Sequence, residues 1–182
     1  TVEGAVFISP SLGTLEFDWS GRELEIGFSE KLRRSTTYVV TIGTDAADVN
    51  NHNKMVQAYT LAFSTGDDID HGFIAGRIYS RRDSESPLGV MVFAYRLHDS
   101  NSDTLNPTIA KPDYVTQTGK NGEFALQHLS FGVYRIFAVR DEYKNLLYDP
   151  EVDDYSAAPS DIAVTPADTL RSDVWLKLTK ED

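Results

Sequence analysis

The chain has 182 residues, a formal net charge of −11 and no cysteine. An acidic surface repels phosphate backbones and anionic lipid, so nucleic acid and membrane-surface partners are not expected. Without cysteine there are no disulfides, zinc–thiolate sites or thiol nucleophiles, and no apolar run approaches the roughly 20 residues that span a bilayer.

In chain order, Thr14-Leu15-Glu16-Phe17-Asp18-Trp19 and Glu23-Leu24-Glu25-Ile26-Gly27-Phe28 alternate polar and apolar residues. Each alternation predicts a strand with one apolar face, and the intervening Ser20-Gly21 predicts a tight hairpin. Residues 29–34 fit a single helical turn, and strands are predicted over 37–42 and 58–64. A polar stretch containing Asp67, Asp68 and Asp70 follows and marks a boundary between two modules, 1–69 and 70–182. Further strands are predicted over 73–79, 90–97, 114–118, 123–126, 133–139, 162–164 and 173–178. Asn121-Gly122 is a hairpin signal, and Gly122 and Gly132 fall where positive φ or close backbone approach is needed. Residues 98–112 read as a long hairpin connection, 143–148 as a short helical turn and 148–160 as an acidic loop. Many short strands separated by turn residues, with little helical periodicity, predict an all-β chain of two β-sandwich modules in tandem.

Family resemblance sharpens this reading. Trp19-Ser20-Gly21-Arg22-Glu23-Leu24-Glu25-Ile26, then residues 32–43 with Thr36-Thr37-Tyr38-Val39-Val40-Thr41-Ile42-Gly43, then Asp48 to Asn53 and Phe63-Ser64-Thr65-Gly66, are similar to the C-terminal part of a bacterial Ig-like domain of the S-layer-protein type. Domains of that type open with strands that this chain starts too late to supply, so the first module is expected to be incomplete at its N-terminus and the chain to be an excised piece. Gly72 to Tyr79, Pro87-Leu88-Gly89-Val90-Met91-Val92-Phe93-Ala94, Thr116 to Phe124, and Leu129 to Ala138 resemble a carboxypeptidase regulatory-like, prealbumin-like or Cna-B-like β-sandwich. In tandem the two resemble exported surface or periplasmic proteins of the Bacteroidetes type. The resemblance implies export, an outer-membrane anchor through the missing N-terminal region, and a sandwich that accompanies a peptidase domain without its catalytic ligands.

The residues that chemistry needs are sparse. The four histidines, His52, His71, His98 and His128, show no metal-ligand spacing, and neither HExxH nor GxSxG occurs. Asp149, Glu151, Asp153 and Asp154 sit on one loop, a poor support for a glycosidase carboxylate pair. Calcium is the alternative to a plain solvated loop: Asp141, Asn145, Asp149 and Asp153 offer hard oxygen ligands, as do Asp67, Asp68 and Asp70 at the junction. Exposed aromatics are a second option, since Trp or Tyr rings form sugar platforms. Trp19, Tyr143 and Tyr148 are the candidate ligand-binding residues, with Tyr114 and Tyr155 behind them, while Trp175 in its alternating strand is expected in the core.

The sequence therefore reads as a non-catalytic structural or adhesive module pair, acting as spacer or partner-binding unit of a larger exported bacterial protein. Its expected partners are other domains of the parent protein, or a surface protein or glycan. The rival readings are a carbohydrate-binding accessory module of a surface enzyme or uptake complex, and a piece of a peptidase whose chemistry lies elsewhere.

Overall fold

A computed structural model describes residues 2–83, 85–98 and 104–180. The fold is all-β: among the described residues a 3-10 turn at Glu3–Ala5 precedes thirteen strands. In the first region these are β1 (Val6–Ser9), β2 (Leu15–Ser20), β3 (Glu23–Phe28), β4 (Thr37–Ile42) and β5 (Tyr59–Ser64). β2 and β3 form a two-stranded hairpin, while β4 is the centre of an antiparallel sheet ordered β1-β4-β5.

The two faces of the β1-β4-β5 sheet have different duties. Register places Val6, Ile42 and Tyr59 in one row and Ile8, Val40 and Leu61 in the next, so these six share a face. The opposite face holds Phe7, Ser9, Thr37, Val39 and Thr41, and it is covered by the second region. Val39 is 4% exposed and belongs to the main core of that second region, and Phe7 packs on its other apolar cluster.

The second region begins with β6 (Gly72–Tyr79), β7 (Met91–Leu97), β8 (Tyr114–Gln117), β9 (Glu123–Leu129) and β10 (Gly132–Val139). It closes with β11 (Tyr155–Ala157), β12 (Ile162–Val164) and β13 (Leu170–Lys177). One sheet runs β11-β10-β7-β8, with β12 also on β10, and the other runs β13-β6-β9. β13 joins β6 in parallel; every other strand pairing is antiparallel. The two sheets sandwich a core built on Ile74, Ile78, Val92, Phe124, Tyr134, Ile136 and Leu176. Inward residues alternate with outward ones along β6, β9 and β13, as a half-solvated sheet requires. A second cluster lies on the other side of the larger sheet, where Met91, Phe93, Tyr95, Val115, Phe137, Val139 and Tyr148 are covered by Leu105, Ala110 and Leu146.

Two glycines answer a geometric need. Gly122 has φ 81° in the β8–β9 turn, a conformation that L side chains rarely adopt. Gly76 faces the bulge in β13 between Arg171 and Val174, where a Cβ would run into the Val174 carbonyl. Gly132, expected in the same role, has no positive φ, and a Cβ there would meet only the Arg96 side chain, not backbone.

Four expectations need correction. Residues 29–34 and 143–148 form bends and irregular backbone, not helical turns. In the second of these, Lys144 and Leu146 have φ of 54° and 61°, which breaks a right-handed helix. Tyr148, expected as an exposed platform, is 5% exposed and stacks on Tyr155 with ring centroids 4.5 Å apart. Trp175, expected in the core, is 63% exposed. The connection over 98–112 lies partly outside the described residues, at 99–103.

Candidate functional site

The acidic loop after β10 is built as a cover for the larger sheet. Leu146 and Tyr148 insert into the outer apolar cluster, and the polar residues between them hold the backbone in place. The Asp141 carboxylate accepts from the Asn145 and Leu146 amides at 3.2 and 2.8 Å. Asn145 Nδ2 donates to Asp149 at 2.9 Å, and its Oδ1 accepts from the Leu147 amide at 2.8 Å. Asp153 is fully buried, and its two oxygens accept from the Glu142 and Asp149 amides at 3.0 and 2.9 Å. Burial pushes the Asp153 carboxyl above its ordinary range, against the pull of those two amides, with the charges of Asp141 and Asp149 adding to the rise. The four predicted calcium ligands thus come together, with the Asp141 and Asp153 carboxylates turned onto backbone amides and that of Asp149 onto the Asn145 side chain. Among the described residues no group of three or more His, Asp or Glu side chains is arranged to hold a metal ion. At the junction, Asp70 N–H donates to Thr37 Oγ1 at 2.9 Å, while Asp67 and Asp68 are exposed.

The predicted aromatic residues do not behave as a set. Trp19 is 48% exposed at the end of β2, and its Nε1–H donates to Glu3 at 3.0 Å. Tyr143 is 64% exposed on the acidic loop, whereas Tyr148 is buried. The exposed aromatic pair is one that sequence reasoning missed. Tyr79 and Trp175 lie on the outer face of the β13-β6-β9 sheet with ring centroids 6.1 Å apart and planes 26° apart. The signal was present in Asp173-Val174-Trp175-Leu176-Lys177-Leu178: Trp175 shares its phase with the charged residues, and Val174, Leu176 and Leu178 take the core.

Between the two regions runs a polar seam. Thr44 Oγ1 donates to the Thr118 carbonyl at 3.1 Å, and Asp45 N–H donates to Gln117 Oε1 at 3.2 Å. Gln117 Nε2 returns a bond to Asp45 at 3.3 Å, and Lys54 and Lys144 reach the same carboxylate at 2.7 and 3.3 Å. Burial raises the Asp45 pKa, but the Lys54 and Gln117 hydrogen bonds and the Lys144 charge outweigh it and hold the carboxyl below its ordinary range. Gly43 keeps this seam closed, because a Cβ there would clash with the Gln117 amide. On another side of the junction, Arg33, Thr37, Asp70, Arg96, His98 and Asp113 line an open cleft of about 290 Å³. Its polar groups are engaged locally: the Arg96 amide donates to Asp113 at 2.7 Å and the Arg96 guanidinium to the Phe131 carbonyl at 2.7 Å.

No curated protein matches the chain. Among solved structures, a Pseudomonas aeruginosa protein proposed to bind carbohydrate aligns over 60% of this chain and 89% of its own, at 16% identity and a TM-score of 0.34. That score is too low to carry fold or ligand across. Residues 1–65, the first region, match the family model of the bacterial Ig-like domain.

Proposed function

We propose that this chain is a non-catalytic, rigid pair of β-sandwich modules from an exported bacterial protein, working as a spacer or partner-binding unit. The second module, from about residue 70, is read as the carboxypeptidase regulatory-like sandwich. The observation that supports the rigid-unit reading is the shared interior at the junction. Val39 of β4 is part of the core between the β13-β6-β9 sheet and the larger sheet. Around it, Asp45 and Gln117 exchange two hydrogen bonds, and Lys144 pairs with Asp45 across the seam. A flexible linker would leave each region to close its own core, and independent domain motion is the default unless the interface is large and apolar. Buried apolar contact plus a satisfied polar seam makes one body that transmits orientation from end to end.

Export is supported by the Ig-like match of residues 1–65. No described helix is long and apolar enough to cross a membrane. The non-catalytic reading is supported by what the polar clusters are used for: the acidic residues of the 141–153 loop hold backbone amides and those of the seam hold the modules together.

Residual dipolar couplings test the rigid unit directly. One alignment tensor fitting amides of both regions is the expected result. Two tensors of different magnitude would mean that the modules reorient independently, and would sink the proposal.

A further inference from the structure

We infer that the outer face of the β13-β6-β9 sheet binds an acidic saccharide, one carrying a carboxylate on its pyranose ring. The inference goes beyond the rigid-unit reading, which stands or falls on the dipolar couplings whatever this face binds.

The site is a square tile of four side chains. Parallel pairing sets Trp175 beside Arg77 and Lys177 beside Tyr79. Ile78, Val174 and Leu176 occupy the inward positions at 0%, 7% and 4% exposure, so their neighbours on each strand project outward. All four tile residues are exposed. The two rings sit on one diagonal, near-parallel at 26° between planes rather than edge to face. The two cations occupy the other diagonal.

Two features point to a ligand. First, a large apolar surface is left in water on a strand whose core positions are filled by smaller residues, Val174 and Leu176. Exposed aromatic surface in a defined, pre-stacked geometry marks recognition more than packing. Second, neither Arg77 nor Lys177 enters an ion pair among the described residues, although the chain has 28 acidic residues against 17 basic ones. Glu123 is the cross-strand neighbour of Arg77, yet its carboxylate accepts from the Asn121 amide at 3.0 Å. The tile is thus a cationic, aromatic spot on an acidic molecule.

That combination selects the class of ligand. A pyranose presents a flat C–H face to an aromatic ring, and its ring carboxylate takes a charge-assisted hydrogen bond from the guanidinium or ammonium beside it. Duplex nucleic acid, at about one charge per 1.7 Å of axis, is opposed by the net charge of −11 over its whole length and keeps its bases from the rings. A uronic-acid polymer spaces its charges one per sugar, which suits a spot with two cations. Asp173 stands at the bulge next to the tile and limits the anionic charge accepted on that side.

Affinity electrophoresis in gels containing polygalacturonate, alginate or neutral hydroxyethylcellulose tests this. Retardation by at least one of the two polyuronates and not by the neutral polymer is expected. Trp175→Ala should weaken that retardation at least tenfold, and the double variant Arg77→Gln, Lys177→Gln should abolish it. All three positions are exposed, so unchanged melting temperatures will show that the fold is kept. With only two tryptophans in the chain, Trp19→Phe leaves Trp175 as the reporter, and its emission should change on titration with trigalacturonate or a mannuronate oligomer. No retardation and no emission change with any uronate overturns the inference. So does equal binding of the neutral polymer, or a sugar-independent dimer in sedimentation that Trp175→Ala dissolves, since the occupant would then be a second copy of this chain.

Discussion

Asp153 is the residue whose change should cost most for its size. It is fully buried, and each of its oxygens accepts one backbone amide, from Glu142 and from Asp149. Asp153→Asn removes the buried charge, but it also turns one acceptor into a donor that faces an N–H. Leaving a buried amide unpaired costs about 1–3 kcal/mol, so the variant should be destabilised by that amount in urea denaturation even though burial disfavours the native charge. A stabilised Asn variant would show that the charge, not the hydrogen bonds, dominates at this position. The same geometry bears on calcium. With the carboxylates of Asp141 and Asp153 on backbone amides and that of Asp149 on Asn145, the loop holds its shape through its own bonds. Equal melting temperatures in EDTA and in millimolar calcium are expected, and a calcium-dependent rise would restore Asp141, Asn145, Asp149 and Asp153 as a site.

At the scale of elements, the hairpin β2–β3 shows how far alternation carries. Register places Leu15 beside Phe28, Phe17 beside Ile26 and Trp19 beside Leu24, so all six apolar side chains share one face and the acidic residues share the other. That was readable from the sequence, as were β4 to β10, because each has one dry and one wet side or a run of β-branched and aromatic residues. β1 was missed because it is four residues long and carries apolar residues on both faces: Val6 and Ile8 turn one way, while Phe7 turns with Ser9 toward the second region, so Val-Phe-Ile-Ser shows no alternation. β11 is three residues long and owes its existence to the free edge of β10. The acidic loop was legible as a cluster but not as a cover, because Leu146 and Tyr148 gain their meaning only from a sheet formed much earlier in the chain. The hairpin and the β1-β4-β5 sheet also leave apolar surface in water: Trp19 is 48%, Phe28 40%, Tyr59 57% and Leu61 54% exposed. A surface of this kind should bind a hydrophobic dye. ANS fluorescence is expected to fall in Leu61→Ser while the melting temperature stays within a few degrees, and unchanged dye binding would show that this face is not the one reporting.

At the scale of the whole molecule, the seam makes stability depend on pH in a direction that can be worked out. Asp45 has its folded pKa held below the ordinary value, so the unfolded chain takes up its proton first as pH falls. Its contribution is therefore complete above the ordinary carboxylate range and is lost as pH drops through that range to the depressed folded value. Asp153 runs the other way: its folded pKa is raised, so the cost of its charge appears as pH rises from the ordinary value through the raised one. Acidification should then loosen the junction while the 141–153 loop is relieved, and the two effects are separable by site. Amide shifts of Gly43, Asp45 and Gln117 should move together below about pH 4, near the ordinary Asp value. In Asp45→Asn the seam should sit near its acid position already at neutral pH. The loss in stability should be about 1–2 kcal/mol at pH 7, for one partly buried carboxylate with Lys54, Lys144 and Gln117 around it, and should shrink toward zero in acid. A seam that stays closed in Asp45→Asn across the whole titration would move the weight of docking onto Val39 and Phe7. The apolar contact would then be what makes two sandwiches one body.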